Sequence, residues 1–187
     1  EKTMKIVEKV LKNVNKDSGN ILRKTGAKAK DCTKNLLFTK MKDERLGYVG
    51  EITSVKKELL IKKLNKGIIP VVSSLGKDEK TSHAININAD TAATEIAIAL
   101  KAEKLTIMTN VDGVLDNEEL ITHMTIDDVK RYIKSGIIKG GMIPKVDACI
   151  DAVLHGVEKA HLINGTTKRA LLIEIFTRKG IGTEIVK

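Results

Sequence analysis

Three stretches of the chain combine chemistry-bearing residue types with a turn or helix-start signal. In the first, His83-Ala84-Ile85-Asn86-Ile87-Asn88-Ala89-Asp90-Thr91 runs into an alanine-rich helical pattern. Two amides, Asn86 and Asn88, and the Asp90 carboxylate can face a small ligand there, at the strand edge where open α/β proteins bind. The same residues also suit a polar turn closed by a helix cap, with Asp90 as the expected cap.

In the second, Gly136-Ile137-Ile138-Lys139-Gly140-Gly141-Met142-Ile143-Pro144-Lys145 precedes another helical pattern. Gly140 and Gly141 let backbone approach an anion closely, and a helix start adds unpaired amides and a favourable dipole. Pro144 fits the first turn, where its missing N–H costs nothing. Lys145 in that same turn opposes the helix dipole. A phosphate site would explain it, and so would an ordinary surface position in a lysine-rich chain.

The third, Thr109-Asn110-Val111-Asp112-Gly113-Val114-Leu115, follows an apolar run, and Asp112-Gly113 marks a turn. Asn110, Val111 and Gly113 are either a strand-to-loop transition or contacts to a ribose or nucleobase. The phosphate-binding patterns GxxxxGK(S/T) and GxGxxG are both absent, so neither a P-loop nor a dinucleotide fold has motif support. His83, His123, His155 and His161 lack metal-ligand spacing, so no metal ligand is assigned and they read as ordinary polar or partly buried residues.

The elements around these stretches read as follows. Thr3 to Val14 has helical apolar spacing, and a second short helix is expected from Ser18 to Lys24, closed by Gly26. Leu36–Thr39 is strand-like. Val55 to Leu64 reads as a helix, followed by a glycine and the strand Ile68–Val72. Helix then recurs over Asp90–Ala102, Ile126–Ser135 and Met142–Leu154, with strands at Leu105–Thr109 and Ala160–Ile163. Thr125 and Asp128 form an expected capping box. Helices of about three turns between short β-branched strands predict an α/β fold, a three-layer αβα sandwich with a largely parallel open sheet.

Composition sets the class. With 187 residues, 42% hydrophobic and 30% charged, the chain suits a globular protein with an aliphatic core, since aromatics are only 2%. Its longest apolar runs are far below the roughly 20 residues of a membrane helix. Cys32 and Cys149 form no dense framework, and a reduced compartment is the economical reading. Of the +9 net charge, residues 1–47 supply most, holding thirteen Lys or Arg against six Asp or Glu. That segment lacks zinc-finger and RNP-like patterns, so nucleic acid is set aside as a partner in favour of a solvated lysine-rich face.

Taken together, the motifs closely resemble the acetylglutamate kinases of the amino acid kinase family. The similarity is carried by Leu46-Gly47-Tyr48-Val49-Gly50-Glu51-Ile52, Ile69-Pro70-Val71-Val72, and Asn86-Ile87-Asn88-Ala89-Asp90-Thr91-Ala92-Ala93. Gly140-Gly141-Met142-Ile143-Pro144-Lys145-Val146 and Gly180-Ile181-Gly182-Thr183 complete it in the family's order. The resemblance implies phosphoryl transfer from ATP, with Mg²⁺ carried mainly on the nucleotide phosphates, to the side-chain carboxylate of N-acetyl-L-glutamate in arginine biosynthesis.

By that similarity Asn86, with Asn88 beside it, would hold the substrate. Lys145 would neutralise the phosphoryl group in flight, and Asp90 would orient Lys145 and a second lysine. Asn110, Val111, Gly113, Gly140, Gly141 and Met142 would belong to the nucleotide side. The resemblance also implies residues 1–47 as a remnant of the amino-acid-binding lobe and 48–187 as the central and nucleotide-binding part. It implies a cytoplasmic setting, or a plastid stroma in a photosynthetic eukaryote.

The departures carry expectations too. The family's N-terminal catalytic lysine and glycine loops have no counterpart before Thr3, which leads us to expect low turnover, or a non-catalytic kinase-like subunit, or another family member. Partnering with a complementary kinase segment or with further copies of the chain follows as an expectation. Asn110 stands where aspartate is usual, Thr94 where glycine is usual, and Arg169 where arginine-regulated members carry histidine. With Arg178-Lys179 in place of an acidic pair, arginine feedback is not expected.

Overall fold

The computed structural model describes residues 2–177 and 180–187. The Arg178-Lys179 substitution therefore lies outside the described residues. The chain divides into two compact units, residues 1–100 and 101–187.

The first unit opens with α1 (Lys2–Lys24), then β1 (Ala29–Asp31), β2 (Leu37–Met41) and β3 (Gly50–Val55). It continues through α2 (Lys57–Leu64), β4 (Ile69–Val71), β5 (Leu75–Asp78), β6 (Ala84–Asn86) and α3 (Ala89–Leu100). β1 and β4 pair in parallel. A second sheet has the order β3-β2-β5-β6, parallel at β2–β5 and antiparallel at its two outer pairs. Leu36, Leu37, Leu60, Ile87 and Ala92 form a buried cluster, with Val55, Val72 and Ile96 packed against it.

The two short helices expected before Gly26 are one. Asp17 and Ser18 do not interrupt α1, because the Ser18 hydroxyl donates to the Val14 carbonyl at 2.9 Å and so finds its partner inside the helix. Gly26, at φ +88°, closes it as expected. The apolar residues of α1 occupy two faces. Met4 is buried, but Ile6, Val10 and Val14 are more than half exposed, at 64%, 52% and 56%. Val55 belongs to β3 rather than to the following helix, since Leu37 pairs with it across the sheet.

Thr39 is fully buried in β2, and its hydroxyl has no partner among the described residues. A buried hydroxyl without a partner carries a desolvation penalty that a methyl group does not. Thr39→Val is therefore expected to raise stability by about 1 kcal/mol, read as a higher urea midpoint at unchanged slope. A lower midpoint would show that the hydroxyl is hydrogen-bonded in solution.

The second unit contains β7 (Lys104–Thr109), β8 (Val114–Asp116), β9 (Glu119–Ile121), β10 (His123–Thr125) and α4 (Ile126–Lys134). A 3₁₀ turn, Gly140–Met142, leads into α5 (Ile143–Leu154), followed by β11 (Lys159–Asn164), α6 (Ala170–Phe176) and β12 (Thr183–Val186). The sheet order is β10-β12-β11-β7, with β11 antiparallel to β12 and the other pairs parallel. β8 and β9 form a separate hairpin. α5 packs on β11, β12 and β7, burying Val146, Cys149, Ala152 and Val153 at helical spacing.

The expected capping box is present. Thr125 Oγ1 accepts from the Asp128 amide at 3.2 Å, while Asp128 Oδ2 accepts from the Thr125 amide at 2.9 Å. The α/β class is as the sequence implies, with helices against sheets in each unit; the pairing mixes parallel and antiparallel strands. No helix among the described residues is long and apolar enough to cross a membrane.

Candidate active site

In the first unit, the Asn86 amide N–H donates to the Tyr48 carbonyl at 2.9 Å, which fixes the backbone at the end of β6. Asn86 itself is half-buried and Asn88 exposed. The cap of α3 is Asn88, not Asp90 as the sequence suggested. Asn88 Oδ1 accepts from the Thr91 amide at 3.1 Å, and the Asn88 carbonyl accepts from the Ala92 amide at 2.9 Å. Asp90 follows two positions after that cap and sits as the acid of the first turn, where the helix dipole favours it. The structure thus brings Asn86, Asn88 and Asp90 to one strand–helix junction.

In the second unit, Gly140, Gly141 and Met142 form the 3₁₀ turn and Lys145 lies in the first turn of α5 with Pro144 before it. Gly140 adopts φ +57°, a left-handed conformation that favours glycine. Gly141 has no such need, and a Cβ added there would meet nothing within 4 Å. Among the described residues no hydrogen bond occupies the Gly140 or Gly141 amide. Met142, the residue before α5, makes no side-chain cap. Unpaired amides at a helix start beside a half-buried lysine make a surface suited to an anion.

β7 and β11 run in parallel, with Thr109 opposite Asn164, so their following loops leave the sheet side by side. Asn110 and Val111 are exposed in the first of these. Gly113 is different. It is buried, and a Cβ there would come within 2.5 Å of Thr183 Oγ1 and 2.8 Å of Leu120 Cδ1. Packing of the loop against β12 accounts for that glycine.

Sequence reasoning passed over a charged cluster in this unit. His161 is 7% exposed, with Nδ1 2.6 Å from Glu174 Oε1 and Nε2 3.0 Å from Glu184 Oε1. Lys104 Nζ donates to Glu174 Oε1 at 2.9 Å, and Glu174 Oε2 accepts the Ile181 amide at 3.0 Å. These groups, with His123 and Lys159, line a cavity of about 720 Å³. Burial lowers the His161 pKa against the opposing pull of the two carboxylates. Burial alone would raise the Glu174 pKa, but the Ile181 amide, Lys104 and His161 bring it below its ordinary value. Glu184 is lowered likewise, its burial outweighed by His123, His161 and Lys159. β11 is buried on both faces, from Ala160 to Ile163, so no alternation singles out His161, and its partners in α6 and β12 left no local signal.

A family model for the amino acid kinase family matches residues 3–164. Open α/β units, a glycine turn before a helix bearing a lysine, and that match define the class: the chain belongs to the amino acid kinase family. Its relatives there include acetylglutamate kinases. That of Wolinella succinogenes is 46% identical, across 99% of this chain and 68% of that enzyme. That of Helicobacter hepaticus is also 46% identical, across 97% and 68%. Among solved structures, a Streptococcus mutans protein superposes with a TM-score of 0.83 at 30% identity, over 100% of this chain and 72% of that one.

Proposed function

We propose that the chain serves ATP-dependent phosphorylation of the side-chain carboxylate of N-acetyl-L-glutamate, giving an acyl phosphate for arginine biosynthesis. The observation that carries this reading is the 46% identity to an acetylglutamate kinase over nearly the whole chain. The chemistry is consistent with the side chains present. The acceptor carboxylate is ionised near neutral pH, so the reaction needs no general base. What it needs is neutralisation of two anionic partners, and cationic groups and backbone amides provide that.

Lys145 is the residue we assign to the phosphoryl group, with the Gly140 and Gly141 amides beside it. Asn110 and Val111, with Met142 and Gly113, are assigned to the nucleotide side, Asn86 and Asn88 to the acceptor, and Asp90 to the catalytic, lysine-orienting role. Among the described residues no three His, Cys, Asp or Glu side chains converge as a metal site. By the family resemblance, Mg²⁺ would be held mainly through the nucleotide phosphates, where it shields the charge of the transferring group.

The experiment is ADP release from Mg-ATP in the presence of N-acetyl-L-glutamate, with L-glutamate as the comparison. Release that follows the acetylated substrate supports the reading; release indifferent to it contradicts the acceptor assignment. Gly141→Ala adds a test of the glycine turn. The fold has room for the methyl group, so stability is expected to hold or to rise by up to about 1 kcal/mol. Nucleotide affinity is expected to fall about tenfold, because the methyl group obstructs close approach to the amides. Unchanged affinity would remove the turn from the nucleotide site.

A further inference from the structure

We propose that Asn164 is a positioning residue for the loop Asn110–Gly113, holding Asn110 and Val111 in the conformation that receives a nucleotide. The inference rests on the nucleotide reading of that loop.

Asn164 ends β11 directly opposite Thr109, the last residue of β7. Its side chain crosses to the neighbouring loop, where Nδ2 donates to Asp112 Oδ1 at 2.7 Å. Its Oδ1 accepts from the Thr166 amide at 2.9 Å and from the Thr166 hydroxyl at 2.7 Å. The oxygen is thereby committed to Thr166, so the NH₂ group must face Asp112 and the orientation of the amide is determined. A bond to a carboxylate is stronger than one between neutral groups.

Two further contacts complete the clamp. The Gly165 amide donates to the Thr109 carbonyl at 2.8 Å. At the far end, Thr183 Oγ1 accepts the Val114 amide at 2.9 Å and donates to the Ile121 carbonyl at 2.7 Å, anchoring the loop beside Gly113. The loop is therefore pinned at Thr109, Asp112 and Val114. Asn110 and Val111 are left exposed between the pins. A loop ordered before its ligand arrives does not lose that conformational freedom on binding, and affinity gains by the difference.

The test compares ADP binding by calorimetry in the wild-type chain, Asn164→Asp, and the exchange Asn164→Asp with Asp112→Asn. The single variant keeps the acceptor for Thr166 and sets carboxylate against carboxylate. Its ADP Kd is expected to rise about tenfold, the scale of one charged hydrogen bond. The thermal midpoint without ligand is expected to stay within about 2 °C, since Asp112 is exposed, Asn164 only half-buried and the bond between them exposed.

The exchange restores the bond with its polarity reversed and is expected to return the Kd to within about twofold of wild type. An unchanged Kd in Asn164→Asp, or a loss that the exchange does not repair, overturns the inference while leaving the nucleotide reading intact. A wild-type chain that binds no ADP overturns the nucleotide reading and the inference with it.

Discussion

Lys145→Ala is expected to slow phosphoryl transfer about a hundred- to a thousandfold, the usual cost of removing one positioned charge-stabilising donor. Lys145 lies in the first turn of α5, directly after Pro144. A cation there faces the positive end of the helix dipole, a placement helix stability does not favour. The half-buried position beside two glycines whose amides donate to no partner among the described residues gives it a chemical rationale instead. If Lys145 acts on the transferring phosphoryl group, the variant loses kcat far more than it loses affinity for either substrate. A rise in the KM for ATP at constant kcat would instead make it a uniform binding group.

The second large effect concerns stability. Glu174→Ala is expected to cost about 3–5 kcal/mol, because it leaves Lys104 and the buried His161 without their shared carboxylate. It also removes the acceptor of the Ile181 amide, which fixes the approach to β12. Equilibrium denaturation measures this, and a loss below about 1 kcal/mol would show that the cluster relaxes or fills with water.

The same cluster sets an acid limb. His161, Glu174 and Glu184 all have folded-state pKa values below their ordinary ones. The unfolded chain therefore binds more protons than the folded one, so stability is full at neutral pH and falls as pH falls. The loss begins near the ordinary histidine value of 6.5 and continues through the carboxylate value of 4.5. His161→Gln is expected to flatten the upper part of that limb while leaving the lower part.

Much of the fold was legible because its signals are local. The Thr125–Asp128 capping box, the glycine that ends α1 and the apolar runs of β7 and β11 each lie within a few residues. Periodicity over-divided α1, since Ser18 is a weak helix former whose back-bond to Val14 the sequence does not display. The three-residue strands β6, β8, β9 and β10 are too short to establish an alternating pattern, and their pairing is set by partners elsewhere in the chain.

The candidate site divides the same way. Gly140-Gly141 and Lys145 announce themselves by chemistry unsuited to ordinary helix starts. Choosing between Asn88 and Asp90 as cap required the register of α3, which composition does not fix. Asn164 and His161 were invisible because each acts across strands, on Asp112 and on Glu174 and Glu184.

The central claim, that a carboxylate accepts the phosphoryl group, is tested most directly by trapping the acyl phosphate with hydroxylamine and measuring the hydroxamate. We predict hydroxamate that accumulates, even if slowly, only when ATP and N-acetyl-L-glutamate are both present, and that falls to background in Lys145→Ala. ADP release without hydroxamate, or hydroxamate undiminished in the variant, would contradict it.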